Sequence, residues 1–109
     1  MGETHEAVLL RVFVSERARH DHHPLHEAIV RAAREAGLAG ATVLRGMMGY
    51  GRSGHIENAK ILDLSDDLPV VVEIVDAEAA IEAFLPLLEA MGPCLATLEK
   101  VRVLKIGAA

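Results

Sequence analysis

Two apolar runs limit the folds that this chain can adopt. Residues 7–14 read AVLLRVFV and residues 69–75 read PVVVEIV, and each run contains a single charged residue, Arg11 or Glu73. Because successive side chains of a strand point to opposite faces of its sheet, runs this apolar predict strands that are largely buried on both faces. A chain of 109 residues forms one core, which covers one face. We therefore expect partner subunits, rather than loops of the same chain, to cover the other face.

The rest of the sequence predicts two helices and the remaining strands. Pro24 suits the first turn of a helix, and Gly37 is expected to end that helix. Asp76 is expected to cap the second helix, and Pro86 to kink or interrupt it. In chain order, we predict a strand at 7–14, a helix at 24–36, a strand at 41–48, a strand in the second half of 55–64, a strand at 69–75, a helix at 77–91 and a strand at 96–106.

The order of the main elements is strand, helix, strand, strand, helix, strand. This is the split βαβ, or ferredoxin-like, plan of the α+β class, in which an antiparallel sheet carries two helices on one face. We assign residues 1–109 to a single domain of this kind.

Composition narrows the classes of function. The formal net charge is −5, and the chain has two Phe, one Tyr and no Trp, so it lacks the basic footprint and the stacking residues of a nucleic-acid-binding protein. The one cysteine, Cys94, cannot form an internal disulfide, which favours a reducing cytoplasm. The N-terminus lacks the features of a signal peptide, and no apolar run is long enough to cross a bilayer. We therefore expect a soluble cytoplasmic protein without nucleic-acid binding or membrane insertion.

The sequence also lacks the motifs of common catalytic sites. It contains no Gly-x-Ser-x-Gly nucleophile elbow and no Walker-type phosphate loop. Residues 15–19, SERAR, lack the glycine-rich cradle that a ferredoxin-like acylphosphatase needs near its N-terminus. We therefore do not expect an enzyme.

Residues 45–54, RGMMGYGRSG, combine four glycines with two arginines directly after a predicted strand. Glycine lets a ligand approach bare backbone N–H groups, and arginine supplies a planar donor fork that suits phosphate. Arg45, Arg52, His55 and Lys60 would surround this hairpin with cationic or potentially cationic groups. We predict an anion or nucleotide site here. The composition leaves open the alternative of a mobile hairpin with solubilising charge.

Residues 36–46, AGLAGATVLRG, followed by Gly49-Tyr50-Gly51, resemble the PII signalling-protein superfamily. Residues 68–75 and 101–107 fit the same pattern. The chain is most similar, over about residues 8–106, to a small PII-like prokaryotic family known as a domain of unknown function. The resemblance implies a ferredoxin-like homotrimer that binds adenine nucleotides in clefts between subunits. A flexible loop, here at about residues 49–57, would then signal to a partner protein such as a membrane transporter or an enzyme.

The resemblance also implies which residues contact the nucleotide. Thr42 corresponds to a threonine near the base, Gly49 and Gly51 to glycines at the loop entry, and Arg52 to the arginine that follows them. PII proteins carry arginines on their last strand that reach phosphates across a subunit boundary. In this chain, the nearest basic equivalents are Arg102 and Lys105. The full set of candidate nucleotide-binding residues is Thr42, Arg45, Gly49, Gly51, Arg52, Lys60, Arg102 and Lys105.

One region departs from the PII pattern. PII proteins carry a glycine-rich phosphate loop before the last strand, whereas residues 92–100 read GPCLATLEK and keep a single glycine. Few backbone N–H groups can converge on a triphosphate here. We therefore expect AMP or ADP as the ligand rather than ATP.

Residues 20–26, HDHHPLH, provide an alternative function. His22 and His26 are four residues apart and would share a helix face if the helix began early enough. Neutral imidazole together with carboxylate suits Zn²⁺, Ni²⁺ or Cu²⁺. Metal binding through His20, His22, His23 and His26 is therefore the competing hypothesis, set against solvated polar residues at the start of a helix.

Overall fold

The strands and helices begin and end close to the residues at which the spacing of apolar positions in the sequence changes. A computed structural model describes residues 3–59 and 67–107. Its elements are β1 (Thr4–Ser15), β2 (Arg19–His20), β3 (His23–Pro24), α1 (Leu25–Glu35), β4 (Thr42–Arg45), β5 (Met48–Gly49), β6 (Glu57–Asn58), β7 (Pro69–Asp76), α2 (Glu78–Glu89) and β8 (Leu95–Leu104). Neither of these helices combines the length and the apolarity that crossing a bilayer requires.

The main sheet has four antiparallel strands in the order β4–β7–β1–β8. β1 pairs with β7 over residues 8–15 and with β8 over residues 4–13. β4 pairs with the other side of β7, so β4 and β8 form the two edges of the sheet as described. This order confirms the predicted ferredoxin-like α+β plan.

Alternate residues of β1 and β7 form the face that packs against both helices. The register places Leu10 opposite Ile74 and Val12 opposite Val72, and all four side chains are fully buried. Burial of a side chain of this size contributes about 1.5–3 kcal/mol. The helices contribute Leu25, Ile29, Ala33, Ile81, Phe84 and Leu88 to the same cluster.

The opposite face of the sheet is left open by the residues that the structure describes. Phe13 on β1, Val75 on β7 and Leu95 on β8 point to this face, and they are 39%, 38% and 67% exposed. At its centre, Nε of Arg11 donates a 2.8 Å hydrogen bond to Glu73, and this bond raises the pKa of Arg11. Residues 7–14 were expected to be largely buried on both faces. The described residues of a single chain bury one face only, because both helices pack on the same side.

The helix ends follow the sequence analysis in part. Gly37, with φ at +81°, ends α1 as predicted. Asp76 was predicted to be the N-cap of α2, and this is wrong: the N-cap is Ala77, which forms no side-chain cap bond. The carboxylate of Asp76 instead accepts hydrogen bonds from the N–H groups of Ala77, at 2.7 Å, and of Ala39, at 2.9 Å. Pro86 lies inside α2 without interrupting it.

The predicted strand at 41–48 is divided at Gly46 into β4 and β5. The N–H of Gly46 donates a 2.7 Å hydrogen bond to the carbonyl of Pro69, and a Cβ added to Gly46 would lie 2.8 Å from Cγ of that proline. The chain therefore turns out of the main sheet where its backbone packs directly on β7. A strand was predicted in the second half of 55–64, whereas β6 (Glu57–Asn58) lies in the first half of that range. Residues 60–64 lie outside the described residues.

Gly46→Ala is expected to lower the free energy of unfolding by about 1–3 kcal/mol, because the new methyl group would overlap the Pro69 ring. The measurement is urea denaturation. Gly40→Ala is the control, since a Cβ at Gly40 would meet nothing within 4 Å. An equal loss of stability in the two variants would contradict the close approach of Gly46 to Pro69.

Candidate functional site

The predicted nucleotide-binding residues fall into two groups at opposite edges of the sheet. The first group lies on β4 and in the hairpin that follows it, and comprises Thr42, Arg45, Gly49, Gly51 and Arg52. The second comprises Arg102 on β8 and Lys105 just after it, while Lys60 lies outside the described residues. Two strands separate β4 from β8, which places these edges about 14 Å apart at the usual strand spacing. One protomer therefore does not bring the described members of the two groups into a single site.

The glycine-rich stretch forms the β5–β6 hairpin, whose loop covers residues 50–56. The N–H of Gly54 donates a 3.0 Å hydrogen bond to the carbonyl of Gly51, and Gly54 has φ at +75°. Arg52 is exposed at this turn and has no hydrogen bond or ion pair with any of the described residues. Tyr50, two residues earlier in the chain, is 73% exposed. Within the described part of the chain, the tip therefore presents an unpaired guanidinium group on a glycine-rich loop.

Arg45 is already paired with a carboxylate. Its Nη2 donates a 3.1 Å hydrogen bond to Oε1 of Glu16, and its Nε donates to Oε2 of the same residue. This two-pronged geometry is the one in which an arginine also binds phosphate. An anion that binds Arg45 must therefore compete with Glu16.

Asp67 joins three segments at the base of the hairpin. Its carboxylate accepts hydrogen bonds from the hydroxyl of Ser15 and from the N–H of Arg17, the latter at 2.8 Å. Its own N–H donates a 3.0 Å hydrogen bond to Glu57 on β6. Sequence analysis missed this role, because these contacts join residues that are 50 or more positions apart in two of the three cases and leave no local pattern.

The β8 edge carries the second group of charges. Arg102 lines a cavity of about 340 Å³ together with Lys100, Glu6 and Glu78, and with the small or apolar residues Ala7, Val8 and Val101. Arg102 stands directly opposite Glu6 in the β1–β8 ladder. Lys105 does not line this cavity. Sequence analysis missed Lys100, although residues two apart on a strand share a face, which would have placed it beside Arg102.

The histidine-rich segment forms a tight turn between His20 on β2 and His23 on β3. Its central residues, Asp21 and His22, both have positive φ, at 48° and 69°, as a type I′ hairpin turn requires. Because α1 begins only at Leu25, His22 does not share a helix face with His26. Within residues 3–59 and 67–107, no group of three or more His, Cys, Asp or Glu side chains is placed to hold a metal ion. Metal binding here stays a prediction from the sequence.

Comparison with known proteins places the chain among PII-like structures. The sequence matches the DUF190 family, described as uncharacterized ACR, COG1993, over residues 7–103. A UPF0166 protein of Aquifex aeolicus is 42% identical over 96 residues, which cover 88% of this chain and 91% of that protein. UPF0166 protein MJ1524 of Methanocaldococcus jannaschii is 35% identical over 81 residues, which cover 74% of each protein.

A solved structure agrees with the fold. CPII of Thiomonas intermedia K12, a nitrogen regulatory PII-like protein bound to ADP, AMP and bicarbonate, matches 96% of this chain and 94% of its own, with a TM-score of 0.65 and 16% sequence identity. At this identity the likeness establishes the fold. It confirms the PII-like fold that the resemblance of residues 36–51 implied.

The ion pair between Glu16 and Arg45 can be tested without any ligand. A double-mutant cycle with Glu16→Gln and Arg45→Gln is expected to give a coupling free energy of about 0.2–1 kcal/mol in urea denaturation, because the pair is partly exposed. The coupling should decrease as salt is raised. The same cycle with Arg17→Gln in place of Arg45→Gln is the control, because the Arg17 side chain forms no ion pair with Glu16. Equal coupling in both cycles would contradict the pairing.

Proposed function

Because this chain belongs to the DUF190 family and has the PII-like fold, we propose that it is a regulatory protein that binds an adenine nucleotide, AMP or ADP in preference to ATP. The ligand would control the state of the loop at about residues 49–57, and this loop would act on a partner protein such as a membrane transporter or an enzyme. The role is non-catalytic and cytoplasmic. CPII, which shares the fold, is bound to ADP and AMP, and this supports the choice of ligand.

The separation of the two cationic groups is the observation that carries the proposal. Arg52 and Arg102 are both exposed and unpaired among the described residues. Arg52 lies in the β5–β6 hairpin, which follows β4 at one edge of the main sheet, whereas Arg102 lies on β8 at the other edge. A phosphate can contact both groups only where the hairpin edge of one subunit meets the β8 edge of the next. We place the nucleotide in that cleft, in a homotrimer.

The open sheet face supplies a reason for such an assembly. Phe13, Val75 and Leu95 leave apolar area in contact with water in a single chain. Burial of that area between subunits is favourable in proportion to its size. A trimer that buries this face would place the edges of neighbouring sheets side by side.

The extended backbone of β8 favours a nucleotide with few phosphates. Residues 95–100, where the PII pattern leads out of its phosphate loop, already belong to β8 and pair with β1. In a strand, backbone N–H groups point alternately to the two sides instead of converging on one point. Side chains, rather than a backbone cradle, must then hold the phosphate, which suits AMP or ADP better than ATP.

The loop is positioned to respond to the ligand. Gly49 and Gly51 lie beside Arg52, and the hairpin base is held through Glu57 and Asp67. A nucleotide that contacts the loop in one of its conformations only would shift the loop towards that conformation. We propose this change of order as the signal that the partner reads.

Isothermal titration calorimetry with AMP, ADP and ATP tests the ligand. We expect AMP or ADP to bind more tightly than ATP, and Arg52→Ala to weaken binding by about tenfold or more through loss of a charged hydrogen bond. Arg31→Ala is the control, because Arg31 lies on α1 and pairs with Glu27. Absence of heat with all three nucleotides at concentrations on the order of millimolar would contradict nucleotide binding.

Mixed oligomers test whether one site uses two subunits. Arg52→Ala and Arg102→Ala chains are refolded separately and together, and the number of tight sites per chain is measured. If the two arginines come from neighbouring subunits, random mixing restores roughly a quarter of the clefts, because one cleft in four receives both native edges. A site within one protomer predicts no recovery, and that result would contradict the shared cleft.

A further inference from the structure

The cavity at the β8 edge holds as many carboxylates as cations. We propose that Glu6 and Glu78 limit the number of phosphates that the ligand can carry, by cancelling the positive charge of Lys100 and Arg102. This inference rests on the proposed function, since it concerns the phosphate end of the same nucleotide. It assigns a selectivity role to two acidic residues that sequence analysis did not single out.

The sheet register places two of these charges next to each other. Glu6 and Arg102 are directly opposite in the β1–β8 ladder, so their Cβ atoms are about 4.5–5.5 Å apart on one face of the sheet. Lys100 lies two residues before Arg102 and shares that face. Glu78 is the first residue of α2 and lines the same cavity of about 340 Å³.

These four side chains are not bound to one another. All four are exposed, and none forms a hydrogen bond or an ion pair within 4.0 Å with any residue in the described ranges 3–59 and 67–107. Each is therefore available to a ligand. The formal charge of the cavity, counted from two cations and two carboxylates, is zero.

A cavity with this balance favours ligands of low charge. The phosphate of a nucleotide is attracted by Lys100 and Arg102 and repelled by Glu6 and Glu78. Each additional phosphate adds negative charge beyond what Lys100 and Arg102 can match while both carboxylates are present, and at separations shorter than the Debye length this repulsion is only partly screened. The carboxylates therefore act more strongly against ADP than against AMP, and more strongly still against ATP.

An alternative role for the carboxylates predicts a different result. A carboxylate can accept hydrogen bonds from the two hydroxyl groups of a ribose, as it does in dinucleotide-binding proteins. The ribose is common to AMP, ADP and ATP. Removal of such a contact would weaken all three nucleotides by a similar factor, whereas removal of a repulsive charge favours the nucleotide with more phosphates.

The experiment compares affinity ratios in Glu6→Gln, Glu78→Gln and the double variant. Calorimetry with AMP and ADP is expected to show that each single variant raises the affinity for ADP relative to AMP about threefold, and the double variant about tenfold, with a smaller effect at high salt. Glu89→Gln is the control, because it makes the same change of net charge at the far end of α2, outside the cavity.

The possible results separate this inference from the proposed function. An unchanged ratio of ADP to AMP affinity, or an equal loss for both nucleotides, would overturn the selectivity role while nucleotide binding stands. The same ratio change in Glu89→Gln would also overturn it, because the effect would then come from net charge. Failure of the unmodified protein to bind either nucleotide would overturn both proposals.

Discussion

The apolar character of both faces of β1 and β7 is the constraint on which the rest of the structure depends. Each strand of this pair is passed by one helical connection. The connection through α1 leads from β1 past β7 to β4, and the connection through α2 leads from β7 past β1 to β8. The connected strands are parallel, so each connection is expected to be right-handed. Because β1 and β7 run in opposite directions and the connections cross the sheet in opposite directions, equal handedness places both helices on the same face. One face becomes the core, and the described part of the chain leaves apolar side chains of the other face in contact with water.

The same topology sends the two halves of the candidate site to opposite edges. β4 continues into the glycine-rich hairpin, whereas β8 carries Arg102, and these two strands never meet within one sheet. A contact between unlike edges is heterologous: the surface used on one subunit differs from the surface used on its neighbour. Such contacts either close into a ring or continue into a filament. In the homotrimer proposed above, the closed ring is favoured because closure would turn the exposed apolar face inward.

Local sequence signals predicted most of the fold, because burial on a strand or helix repeats at a fixed period. They did not predict the interruption at Gly46, which depends on the approach of Pro69 from a strand 23 residues away in sequence. They also predicted the wrong role for Asp76, which is not the N-cap of α2 and whose carboxylate accepts hydrogen bonds from the N–H of Ala77 and from that of the distant Ala39. In each case the deciding contact joins residues that are distant in the chain, and a periodic pattern contains no information about such pairs.

The candidate site could likewise be predicted from the sequence only in part. The residue types that suit phosphate, an arginine among glycines and basic residues on the last strand, are visible in the sequence. The residues that pair with these charges are not visible in the sequence, since the carboxylate bound to Arg45 comes from Glu16, 29 residues earlier. The net charge of −5 is also a poor guide to local chemistry, because Arg52 has no partner among the described residues while Arg45 is paired with Glu16.

In the proposed function, the pairing of Arg45 would connect ligand binding to the base of the hairpin. Glu16 lies between Ser15 and Arg17, the two residues that hold the carboxylate of Asp67. Asp67 in turn donates its N–H to Glu57 on β6. In the proposed function, an anion that binds Arg45 in place of the Glu16 carboxylate releases Glu16, which is one end of this continuous set of contacts. Since the other end is the strand that closes the hairpin, exchange of one carboxylate for a phosphate changes the balance between loop conformations without any contact between the ligand and β6.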